Sequence, residues 1–64
     1  MKEPLAVTLG KKVAEEMRNI EDPFYDDVNQ RTRGLMPRAK VEQRHLLYNT
    51  VCEELRKQGK KIWS

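Results

Sequence analysis

The sequence predicts an all-α fold: two to three short helices, a helical hairpin or bundle whose core is completed by dimerisation. Three observations predict it. Apolar residues recur at steps of three and four along most of the chain, no stretch alternates as a strand would, and Pro or Gly punctuates the helical runs at Pro23, Gly34, Pro37 and Gly59. The 64 residues hold one domain at most, and a domain of this size buries only about 60% of the surface its unfolded chain exposes. Apolar residues make up 38% of the chain and charged residues 36%, so every apolar stripe is narrow and flanked by ions. A partner or a second copy is therefore expected to stabilise the fold.

Residues 1–8 carry no cap or periodicity and read as a flexible arm, residues 9–58 as a helical interaction domain, and residues 59–64 as a basic tail. In the first helix, 9–20, Leu9, Val13, Met17 and Ile20 step by four, four and three with Ala14 beside them. Gly10 weakens its first turn by about 1 kcal/mol relative to Ala, and Pro23 obliges Asp22 to leave the helical region. The second helix, 23–35, opens with Asp22 as cap, Pro23 at the first helical position, and Asp26 and Asp27 near the positive end of the dipole. Phe24, Val28 and Leu35 share one face, with Tyr25 and Thr32 alongside and Arg31 and Arg33 able to lay their stems along the edge. Gly34 loosens the end, and Pro37 disfavours helical geometry at Met36.

The third helix, 38–57, takes Pro37 into its first turn and repeats Val41, Leu47, Tyr48, Val51, Cys52 and Leu55 at helical spacing. Val41, Tyr48 and Leu55 are seven apart with Arg44 and Val51 between, the pattern of a coiled-coil seam. Two heptads are too few for a coiled coil, which leaves a small bundle. Arg56 and Lys57 suit the negative end of the dipole, and Gly59 supplies a stop. The tail ends in Ile62 and Trp63, and such a tail is more often disordered than folded.

The chemistry-bearing residues argue against an enzyme. His45 and Cys52 lie two turns apart and could form a base and nucleophile, but Cys52 belongs to the apolar stripe and no third orienting group accompanies them. Glu15-Glu16 and Glu53-Glu54 are adjacent, so their side chains diverge by about 100° and share no site. One His and one Cys cannot build a structural zinc site, and no cofactor motif is present. The single cysteine points to a reducing compartment; with no apolar run near the roughly 20 residues of a membrane span and no signal-peptide apolar region, the chain reads as intracellular and soluble. Thirteen Lys and Arg against ten Asp and Glu leave +3, which permits nucleic-acid contact without announcing it. A small trihelical DNA-binding domain with Arg38, Lys40 and Arg44 of the third helix on phosphates is the alternative function; Glu42, Glu53 and Glu54 interrupt that row.

The order Asp22, Phe24, Val28, then Leu35-Met36-Pro37, then Lys40, Arg44, Leu47, Val51 resembles the BESS motif, a helical pair found in insect DNA-binding and chromatin factors that carry MADF or zinc-finger domains elsewhere. The resemblance spans about Asp22 to Leu55. It implies a nuclear protein-interaction module that forms a homodimer, pairs with a homologous helical partner or contacts other transcription factors, with DNA binding left to another domain. The expected partner surface is the seam of Phe24, Val28, Leu35, Val41, Leu47, Val51 and Leu55, flanked by Arg44 and Tyr48.

Overall fold

The computed structural model describes residues 3–64. Three helices make the fold: α1 (Leu5–Glu16), α2 (Tyr25–Thr32) and α3 (Val41–Lys57). The first packs mainly on the third, and the second closes one side of that pair. Among the described residues the one extended pairing is an isolated parallel bridge between Phe24 and Trp63.

α1 begins four residues earlier than the periodicity predicts, so the expected arm shrinks; its first two residues, Met1 and Lys2, lie outside the described residues. Pro4 is the N-cap, and its carbonyl accepts the amides of Val7 at 3.0 Å and Thr8 at 3.1 Å. Glu3 reinforces this turn by accepting from Thr8 Oγ1 at 3.0 Å and Lys11 Nζ at 2.6 Å. The helix also ends sooner, and a turn through Met17 brings the Ile20 amide onto the Met17 carbonyl at 3.0 Å. Ala6, Gly10, Val13 and Ala14 form its buried face. At Gly10 the two helices touch: a Cβ there would stand 2.6 Å from Thr50 Cβ. The glycine that costs α1 helix propensity is thus what lets α1 and α3 cross closely.

α2 runs from Tyr25, not Pro23, and Asp22 does not cap it. Phe24 is the N-cap, held extended because the tail pairs with it: Trp63 donates to the Pro23 carbonyl at 2.9 Å and Tyr25 donates to the Trp63 carbonyl at 2.8 Å. The Asp27 carboxylate reaches back to the Phe24 amide at 2.9 Å, satisfying a donor that would otherwise be orphaned. α3 starts at Val41 rather than residue 38, because Met36 to Ala39 close a turn, Ala39 N donating to Met36 O at 3.1 Å, with Pro37 where turns favour it.

At the other end of α3, Lys60 N donates to Leu55 O at 3.1 Å and Gly59 N to Arg56 O at 2.9 Å, with Gly59 at φ 84°. This is a Schellman stop. It turns the chain back, and the expected loose tail is instead part of the fold: Ile62 is buried and Lys60 Nζ donates to the Ile20 carbonyl at 2.7 Å.

The core comprises Ala6, Val13, Ala14 and Met17 from the α1 region, Val28 from α2, Leu47, Val51, Cys52 and Leu55 from α3, and Ile62 from the tail. Val28, Leu47, Val51 and Leu55 were expected at a partner surface. They are instead buried within one chain, because α1 lays its small-residue face over them.

Candidate functional site

What remains exposed clusters around the first half of α3. Its residues Val41, Glu42, Gln43, Arg44 and His45 are all exposed, so the helix overhangs the core, which it joins from Leu46 onward. Beneath the overhang, between it and α2, lies a cleft of about 420 Å³ lined by Asn29, Thr32 and Arg33 on one wall and Val41, Arg44, His45, Leu47 and Tyr48 on the other. A smaller hollow of about 240 Å³ lies on the far side of α2, bounded by Leu9, Val13 and Leu35 with Lys12, Glu16 and Arg31.

Local sequence explains each wall. Thr32 turns its hydroxyl inward onto the Val28 carbonyl at 2.9 Å, which leaves Asn29 and Arg33, one helical step to the side, facing the cleft. On α3, Val41, Arg44 and Tyr48 follow three- and four-residue spacing along one face. Val41 is 54% exposed. Tyr48 is half-buried and stacks on Tyr25, ring centroids 6.4 Å apart at 16°; Arg56 donates to the Tyr25 hydroxyl at 3.3 Å. Burial pushes the Tyr48 phenol above its ordinary pKa, so it stays a neutral donor.

Two cations, Arg33 and Arg44, line the cleft, and Arg31, Arg38 and Lys40 are exposed outside it; among the described residues the ion pairs are Lys11–Glu3, Arg18–Glu15 and Lys57–Glu54, which use none of the five. The acidic counterpart is the entrance to α2, where Glu21, Asp22 and Asp26 are exposed and outside those pairs.

Of the nine expected interface residues, the structure brings Val41, Arg44, Leu47 and Tyr48 together in the cleft, Leu47 as its buried floor. Phe24 is exposed at the start of α2, beside Trp63, and Leu35 borders the smaller hollow. Val28, Val51 and Leu55 leave the surface altogether. Of the three expected phosphate contacts on a recognition helix, only Arg44 lies on α3; Arg38 is in the preceding turn and Lys40 is the N-cap. Sequence reasoning missed Asn29, Thr32, Arg33 and His45 as one surface, because it takes two helices to make the cleft and the crossing is not written in either.

His45 and Cys52 are separated by role. His45 lines the cleft, whereas Cys52 is 4% exposed in the core, where burial pushes its thiol up, opposed by the charge of Arg56. A raised thiol pKa is the reverse of what a nucleophilic cysteine needs. Among the described residues no three His, Cys, Asp or Glu come together to hold a metal, and no helix is long and apolar enough to cross a membrane. Compared with known proteins, the chain matches no family model, no curated protein and no solved structure.

Proposed function

We propose that this chain is a protein-interaction module of a nuclear transcription or chromatin factor, associating through the α2–α3 cleft with a homologous helical partner, as the BESS resemblance suggests. The observation that carries the reading is the overhang: an exposed Val41, a half-buried Tyr48 and two uncompensated arginines border one concavity. An aromatic or aliphatic anchor enclosed by polar residues is the composition of interface centres. The cleft's volume lies within the range of concave binding sites generally, and the reading assigns it binding without chemistry.

The cation row 31–44 favours a second reading, phosphate contact with duplex DNA by Arg38, Lys40 and Arg44. One experiment separates the two. Sedimentation of the chain over a concentration series, with and without a short duplex, should show mass rising with protein concentration, and Val41→Glu should abolish the rise while helicity is retained. Monomeric mass throughout, with salt-dependent duplex binding that Arg44→Glu removes, would establish the DNA reading instead.

A further inference from the structure

Resting on the proposal that the cleft is an interaction surface, we infer that its occupant is the acidic, aromatic entrance to α2 of a second copy, the two chains exchanging this contact reciprocally about a twofold axis. The entrance presents Phe24, 49% exposed, between Glu21-Asp22 on one side and Asp26-Asp27 on the other. Four carboxylates fall in seven residues. Asp27 alone is engaged, on the Phe24 amide. The cleft presents the complement: an apolar floor and lip, Leu47 and Val41, a Tyr48 ring, and Arg33 and Arg44 without ion-pair partners among the described residues.

Within one chain no ion pair joins these two features among the described residues. Tyr25 already stacks on Tyr48 at the cleft wall, but Phe24 beside it is held exposed by the backbone bridge to Trp63, and Arg33 lies beyond the far end of α2, whose eight residues span roughly 12 Å. Between two chains they can meet twice. If α2 of one copy runs antiparallel to α2 of the other, each Phe24 approaches the other's cleft and each acidic entrance approaches the other's Arg33 and Arg44. Such an isologous contact closes at two copies, whereas a one-way insertion would continue as a filament. Matching of opposite potentials favours this register and penalises parallel α2 pairing, which would set acid against acid.

The single Trp63 gives a readout, because it neighbours Phe24 and has Lys61 Nζ 4.5 Å from its ring centroid; docking of Phe24 should alter its emission. The deciding experiment is a charge exchange on the intact chain, followed by sedimentation at low salt. The native chain should approach twice the monomer mass and go no further. Asp26→Arg and Arg44→Glu should each weaken self-association at least tenfold when alone, and their equimolar mixture should regain the dimer, since both reciprocal contacts then pair opposite charges. Asp22→Arg is the substitute for Asp26→Arg should the latter lower helicity by circular dichroism. Single variants that dimerise as the native chain does, a mixture that stays monomeric, or mass growing beyond two would each overturn the reciprocal dock. If Val41→Glu abolishes association while Asp26→Arg and Asp22→Arg leave it intact, the cleft remains the interface and only this occupant falls; monomeric native chain at all concentrations removes the second copy altogether.

Discussion

Single residues show where local preference and packing disagree. Gly10 lowers helix propensity by about 1 kcal/mol against Ala, yet a Cβ there would meet Thr50 Cβ and Cγ2 at 2.6 Å and the Leu47 carbonyl at 3.2 Å. Overpacking against atoms fixed to a backbone costs about 1–3 kcal/mol, so Gly10→Ala should lower stability in denaturant melts. At Gly34 nothing lies within 4 Å and the φ is not positive, so the same change should raise stability by about 0.4–1 kcal/mol through the unfolded chain. Equal signs for the two would mean that the α1–α3 crossing is misplaced. Cys52 gives a pH test. Its thiol is pushed up by burial, so the folded form holds the proton more tightly than the unfolded one, whose value is near 8.5. That contribution is complete below about pH 8.5 and is lost as pH rises from there through the folded value. Stability should therefore fall as pH rises above about 8.5 in the native chain and less steeply in Cys52→Ala, with Tyr48, also raised by burial, adding a further loss at higher pH. Alkylation of Cys52 should track global unfolding.

Elements were legible in proportion to how local their causes are. The existence of three helices, the Gly59 stop and the break at Pro37 follow from periodicity, φ preference and proline sterics within a few residues, and all are present. The entrance to α2 was misread because its determinant is remote: Asp22-Pro23 is a good local start signal, but the Trp63 backbone holds Phe24 extended and moves the helix start to Tyr25. The tail was misread for the same reason, since Lys60-Lys61 looks solvated until Ile62 is seen under it. In α1 the small residues Ala6, Gly10 and Ala14 carry little hydrophobic signal although they permit the closest packing. The cleft inherited these errors: Arg44 and Tyr48 could be named from their stripe, whereas Asn29 and Arg33 required the placement of α2 on α3. At this scale the tail is the test. Ile62→Ala should cost about 2–5 kcal/mol if its site does not collapse, and the Trp63 and Tyr25 amides should exchange slowly with solvent. Fast exchange at both would show that the tail does not belong to the fold.

The whole molecule closes its own core, with a radius of gyration of 11.1 Å against roughly 10.7 Å for a compact domain of this length. Association is therefore not needed to bury Val28, Val51 or Leu55, contrary to the reading in which dimerisation completes the core. A different kind of dimer follows. A standard interface takes about 800 Å² from each partner, a large share of the 4937 Å² this chain exposes, and a cleft beside an eight-residue helix offers less. Two folded chains would then associate weakly and reversibly, by charge as much as by apolar contact, so raising salt from about 0.05 to 0.5 M should weaken self-association, measurably by sedimentation, while leaving the monomer's melting temperature nearly unchanged. An increase in association with salt would instead point to an apolar face elsewhere, such as that around Leu35 and Leu9. The most direct measurement is the movement of backbone amide resonances as the native chain is concentrated from dilute to near-millimolar solution. Shifts should concentrate at Arg33, Val41, Arg44, His45 and Tyr48 around the cleft, with α1 silent. Shifts confined to α1 and Leu35, or none at any concentration, would contradict the assignment of the cleft as the interaction surface.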